Sequence, residues 1–251
     1  MTIQRRAWLA YIDGLSKVNE QAVTEMKAFL QTHLPLNEEN SRLVIEYAFA
    51  ISTKYGEAAA SLACEMYDRT AAAQGALVPP AEPAATATYQ ETAKAVQGTA
   101  KVSETEVPQT VGRLVKQAGV DTTMQNAIRD GAEWAWIPHG DTCAFCITLA
   151  SNGWQRASKA AMKGGHAEHI HANCDCTYSV RFDRKSTVAG YDPGQYRRMY
   201  DQAEGSTPEQ KINAMRRAFY AENAEEINAQ KRSAYAKRRE RESSAAEEIE
   251  V

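Results

Sequence analysis

Over the first thirty positions, apolar residues recur at intervals of mostly three and four: Trp8, Tyr11, Ile12, Leu15, Val18, Met26 and Phe29. That spacing gathers them on one face of a helix running from Arg5 to Leu30, which Gly14 weakens without ending. A second set, Leu43, Val44, Tyr47, Ile51 and Tyr55, follows the turn at Pro35, with Asn40 or Ser41 placed to cap its first free amides. Gly56 permits a kink before a further helical stretch from Ala58 to Arg69. The opening part of the chain therefore reads as a helical hairpin or a three-helix unit.

The periodicity stops at GALVPPAEPAAT, residues 75–86, where three prolines and almost no large side chains describe a linker or an extended arm. Helical spacing returns over Thr88 to Val96 and Thr110 to Ala118. Asp121 or Thr122 is placed to cap a further helix through Asn126 to Asp130, which Gly131 ends. The period then changes to two. Glu133 to Ile137 alternates around Trp134 and Trp136, and Cys176 to Phe182 alternates in the same way, so two short strands are expected to pair. After the turn at Tyr191 to Gly194 a short helix covers Gln195 to Gln202. Thr207, Pro208, Glu209 and Gln210 then combine a capping hydroxyl, a first-turn proline and a reciprocal glutamine at the start of a long terminal helix. Ile212, Met215 and Phe219 form its apolar stripe, which fades from Asn228 onward into a charged tail.

These elements predict a mainly α fold with a small α+β module, in four parts. A helical N-terminal unit spans 1–74, and a Pro/Ala-rich linker with a short helix spans 75–104. A two-stranded, cysteine-rich module like a zinc knuckle spans 105–190, and a long C-terminal helical arm with a charged tail spans 191–251. The longest apolar stretches, such as Leu43 to Ile51, fall well short of the roughly 20 residues that a bilayer crossing requires. The amino terminus lacks the apolar block of a secretory signal, so a cytoplasmic location and no membrane partner are expected.

A net charge of −3 argues against a protein that coats nucleic acid over its whole surface. The one basic patch is in the tail: Lys231, Arg232, Lys237, Arg238, Arg239 and Arg241. Of five cysteines, four fall within Cys143 to Cys176, and Cys64 stands apart as a small apolar residue of a helix. Two ligand pairs on tight turns suit one tetrahedral Zn2+ held structurally. Cys143, Cys146, Cys174 and Cys176 are the preferred four, with His171 as a fifth claimant, either replacing a cysteine or orienting a thiolate. Reduced buried thiols or a pair of disulfides are the competing reading.

The same segment also bears on catalysis. His166-Ala-Glu168 matches half of a zinc deaminase motif, but the Cys-x-x-Cys lies upstream of it rather than downstream. A nuclease centre could use Glu168, His169 and His171 around a catalytic cation. Thiols crowded like ligands do not suit a cysteine protease, and there is no phosphate loop or nucleophile elbow. The chain is expected to be no enzyme, with an HNH-like metal-dependent nuclease as the alternative.

Taken together, Trp134-Ala-Trp136, Asp141-Thr-Cys143-Ala-Phe-Cys146 through Gly153, and His171-Ala-Asn-Cys174-Asp-Cys176 closing on Thr177 to Phe182 resemble the phage Mu F-like minor head protein family. The likeness spans roughly Ala58 to Tyr200. Many members carry only the His-x-x-Cys-x-Cys half, so the Cys143 and Cys146 pair is a departure. The resemblance implies a minor capsid protein of a tailed bacteriophage, a virion component of the capsid interior made in the host cytoplasm. It implies a role in head morphogenesis and DNA packaging, with the portal or major capsid protein as partner, and a capsid maturation protease as the further alternative. Packaged double-stranded DNA would meet the basic tail, and the Arg5 to Leu30 helix and the Ile212 to Phe219 stripe would meet protein.

Overall fold

The computed structural model describes residues 2–3, 5–139, 142–158, 176–225, 228–229 and 232–233. A two-residue strand, β1 (Thr2–Ile3), leads into α1 (Arg5–Gln31), whose Trp8, Tyr11, Ile12, Ala22, Met26 and Leu30 are buried along one face. α2 (Glu38–Gln74) runs as one helix through Gly56. Its cap is Asn37, not Asn40 or Ser41. Asn37 has extended backbone and accepts from the Asn40 N–H at 2.9 Å, while the Asn40 side chain accepts from the Asn37 N–H at 2.8 Å. The residue just outside the first turn is the one free to bend its side chain back onto the orphan amides.

α3 (Tyr89–Ala100) is capped by Thr88 and Glu91 in the same reciprocal way. α4 (Val107–Asp130) is a single helix across the break expected near 121. Thr122 does not cap; its hydroxyl donates to the Ala118 carbonyl one turn below at 2.7 Å. Gly131 ends α4 in the left-handed region, φ 64°, with its N–H turned back to the Ala127 and Ile128 carbonyls.

Three long helices, α1, α2 and α4, pack together over Met26, Leu30, Val44, Ile45, Ile51, Val107, Val111 and Val115. Two glycines let α4 approach its neighbours. A Cβ at Gly112 would stand 2.7 Å from Val23 Cγ2, and one at Gly119 would stand 3.3 Å from the Ala59 carbonyl oxygen of α2. Gly56 has a related reason: a Cβ there would meet Thr86 Cγ2 at 2.9 Å, because the proline-rich segment crosses α2 at that point.

That segment, residues 76–87, is extended and tied to one face of α4. Arg129 donates to the Pro80 and Pro79 carbonyls at 3.1 and 3.0 Å. Asn126 both accepts from the Glu82 N–H and donates to its carbonyl, at 3.0 and 2.8 Å, and Thr122 Oγ1 accepts from the Ala84 N–H at 3.0 Å. Positions three and four apart on a helix lie in one row, so 122, 126 and 129 form a ladder that serves backbone groups no sheet partner serves.

The sheet follows α4 directly. β2 (Glu133–Ile137) is flanked by β3 (Gln155–Arg156) and β4 (Thr177–Arg181), both antiparallel to it, in the order β3-β2-β4, with α5 (Ala144–Ser151) between β2 and β3 in the chain. The two expected strands are there and pair, Trp136 opposite Tyr178 and Ile137 opposite Thr177; β3 makes the sheet three-stranded. The Tyr178 ring stands nearly perpendicular to both Trp134 and Trp136, at 4.6 and 4.7 Å between centroids. Arg181 Nε pairs with Glu133 Oε2 at 2.7 Å across the strands. A second, parallel pair joins β1 to β5 (Thr187–Val188). Trp8, Tyr11, Ile12, Tyr67, Val120 and Met124 cover the sheet from the helical side in one core cluster.

The chain divides into two compact units, 1–197 and 198–251, and α6 (Pro193–Gln202) spans the division. In the second unit, α7 (Pro208–Glu222) starts at Thr207 with the expected capping box to Gln210. No residue of α7 is buried; Phe219 is 57% and Tyr220 42% exposed. Among the described residues no helix is long and apolar enough to cross a membrane.

Candidate functional site

The cysteines sit where β2 ends, α5 begins and β4 begins. Cys143 is the N-cap of α5 and Cys146 its third residue, so the Cys-x-x-Cys spacing occupies the first turn of a helix. The partial positive charge of a helix amino terminus favours negatively charged groups there. Cys176 immediately precedes β4, level with Pro138 as the chain leaves β2. Cys146 and Cys176 are buried, at 2% and 4% exposure, in the same core cluster, and the half-buried Cys143 packs against that cluster.

The Cys176 sulfur accepts from the His139 N–H at 3.4 Å, and its S–H donates to the His139 carbonyl at 3.9 Å. The first contact suits a thiolate, since backbone N–H groups around a ligating sulfur orient it and stabilise its charge. Nothing in the sequence marks His139, because the group that acts is its backbone amide, which leaves no residue-type signal. Its neighbourhood to Cys176 follows only from the β2-β4 register.

Among the described residues no three histidine, cysteine, aspartate or glutamate side chains gather as a metal site. Cys174 of the preferred four and His171, the fifth claimant, lie outside the described residues, as do His166, Glu168 and His169. Of the preferred four, Cys143 and Cys146 share the first turn of α5, and Cys176 stands just before β4 with an amide on its sulfur. Cys64 is apart from this group, half-buried on α2, its thiol pushed up by burial and by the charge of Asp68. Of the basic tail, Arg232 is described and is exposed in a helical stretch; Lys231, Lys237, Arg238, Arg239 and Arg241 lie outside the described residues.

Aromatic groups wall the cysteine end of the sheet. Burial, then the charges of Cys146 and Asp121, push the Tyr178 hydroxyl well above the usual phenol range. Burial also raises Tyr191, whose hydroxyl donates to the Ala150 carbonyl of α5 at 2.8 Å and ties the chain beyond β5 to the cysteine-bearing helix. Beside it a cavity of about 350 Å³ is lined by Arg5, Trp8, Ile137, His139, Tyr191 and Tyr196.

Asp121, expected to cap a helix, is instead a partly buried side chain within one. Asp121 lies inside α4 and accepts from Gln117 Nε2 at 2.7 Å. Burial lifts its carboxyl to about 6, against the lowering effect of that hydrogen bond, and the charge of Glu91 adds to the rise. The signal available in the sequence was the four-residue spacing to Gln117 within one unbroken apolar period.

The family model described as VG15 protein matches residues 2–203, from β1 through α6. No curated protein and no solved structure matches the chain.

Proposed function

We propose that this chain, which belongs to the VG15 protein family, is a minor structural component of a tailed-bacteriophage head, of the Mu F-like kind, acting without catalysis in head assembly and DNA packaging near the portal. The observation that carries this reading is the pairing of β2 with β4, with the Cys-x-x-Cys turn and Cys176 at their shared end. Aromatic strand, Cys-x-x-Cys helix, glycine turn at Gly153 and closing strand follow the order of the Mu F-like resemblance, whose remaining part, His171-Ala-Asn-Cys174-Asp-Cys176, lies outside the described residues except for Cys176.

Cys143, Cys146, Cys174 and Cys176, with His171 as fifth claimant, would hold one zinc ion, which would cross-link the start of α5 to the start of β4. The burial of Cys146 and Cys176 and the amide donated to Cys176 support ligation by thiolate. The apolar face of α1 is buried against α2 and α4, which leaves the exposed Phe219 of α7 as the better candidate for contact with portal or capsid protein. The basic tail from Lys231 would approach packaged DNA in the capsid interior.

The test is co-sedimentation of the chain with assembled heads, for the full chain and for a form ending at Gln202. The reading expects retention by the full chain and loss with the shortened form. It fails if neither associates with heads, or if purified protein cuts supercoiled DNA in magnesium or manganese and loses that activity on His169 or His171 substitution. Elemental analysis with thiol titration tests the metal separately: about one zinc per chain is expected, and freely reactive thiols without bound metal would rule it out.

A further inference from the structure

Residues 85–88, α3 and α4 enclose a cleft of about 960 Å³. Along one wall Arg113, Gln117 and Asp121 follow each other at four-residue spacing on α4, and α3 contributes Glu91, Lys94 and Ala95 opposite. Gln117 Nε2 donates to Asp121 Oδ1 at 2.7 Å, while Gln117 Oε1 is buried with no hydrogen-bond partner among the described residues. Turning the amide over gives no relief, because it would set Oε1 against the carboxylate. An ionised carboxylate accepts at about four positions and an amide oxygen at about two, so the pair offers far more acceptors than donors.

Charge leads to the same deficit. Glu91, a second carboxylate, raises Asp121 further, and although Lys94 and Arg113 line the cleft, neither forms an ion pair with Asp121. Glu91 is engaged by Thr88, whose N–H and hydroxyl both donate to it at 2.8 Å. The remaining titratable group within reach is Tyr178 of β4, whose hydroxyl stays neutral. A partly buried carboxylate without an ion-pair partner is costly, and a compact cation with several N–H donors is the group that would relieve both deficits. Ala85, Ala87, Ala95 and Leu114 offer an apolar lining for the methylene stem such a cation carries.

We propose that this cleft binds a guanidinium or primary ammonium group through the Asp121 carboxylate and the neighbouring Gln117 amide oxygen. The cation could belong to a polypeptide side chain or to a free polyamine, since both present the same donors on an aliphatic stem.

Isothermal titration of the full chain tests this with three probes: an acetylated, amidated arginine peptide, spermidine, and magnesium chloride. The organic cations are expected to bind at pH 7.5 and about tenfold more weakly at pH 5, one unit below the carboxyl group's value of about 6. Asp121→Asn, which keeps size and shape, abolishes the binding, and Ala95→Arg, which places a guanidinium on the α3 wall, blocks it. Tighter binding of the peptide assigns the site to a protein side chain, and tighter binding of spermidine to a free polyamine. The proposal is overturned if none of the organic probes binds, if binding is equal at the two pH values, if it survives Asp121→Asn, or if magnesium alone reproduces it.

Discussion

Asp121 shows how a single side chain reports on its surroundings. Its carboxyl holds its proton to about pH 6 in the folded chain, against an ordinary value of 3.8. The folded state therefore keeps a proton that the unfolded chain has already lost. Stability from this group is complete below pH 3.8, declines as pH rises through about 6, and is level above that. Asp121→Asn is expected to remove the decline, leaving stability at pH 4 nearly unchanged and raising it at pH 8 by on the order of 2 kcal/mol. Urea unfolding at the two pH values measures it. Gly119 makes a complementary point, since what stands over its α-carbon is the Ala59 carbonyl of another helix, which has little room to move. Gly119→Val should destabilise the protein by about 2 kcal/mol or more through forced separation of α4 from α2, read as a lower urea midpoint with an unchanged slope. Nothing local distinguishes this glycine from Gly14, which lies in α1 and would meet only the movable end of Leu62.

Among the elements, the proline-rich segment differs most from what its composition suggests in isolation. Prolines without N–H groups keep it out of helix and sheet, which the residue types state directly. That it is held along α4 depends on Thr122, Asn126 and Arg129 meeting its carbonyls and amides. Asn126→Ala removes both bonds to Glu82, which leaves its N–H to water and its carbonyl with the Gln125 amide alone, at 2.7 Å. The expected outcome is a loss of about 1–3 kcal/mol and faster proteolytic cleavage within residues 76–87, measured by limited digestion of the folded protein. The helices were more legible. α1 and the start of α7 fall where spacing and capping chemistry put them, because those signals lie within a few residues of each other. The cap of α2 and the continuity of α4 were not legible. Asn37 and Asn40 are equally good caps by type, and a mid-helix Asp-Thr pair looks like a start until its neighbours are known to bury it.

On the scale of the whole molecule, every residue of both hydrophobic clusters lies within 1–202, and α7 buries none of its own. A chain ending at Gln202 should keep the thermal midpoint of the main body within about 2 °C, as calorimetry would show; a larger fall would mean that the main body leans on the removed residues. The mainly helical class, the two principal strands and the close sequence grouping of cysteines were all present in residue order, since each rests on periodicity or on neighbours within one turn. Three further features came only from folding. The sheet register brings the His139 amide to the Cys176 sulfur, thirty-seven residues away. The α2 crossing explains Gly56 and Gly119, and the closing of α3 and the proline-rich segment over α4 turns Asp121 from a cap into the wall of a cleft. Each of these joins positions far apart in the chain, and the free energy that selects among such long-range pairings belongs to the packed core as a whole, where no short stretch of sequence carries it.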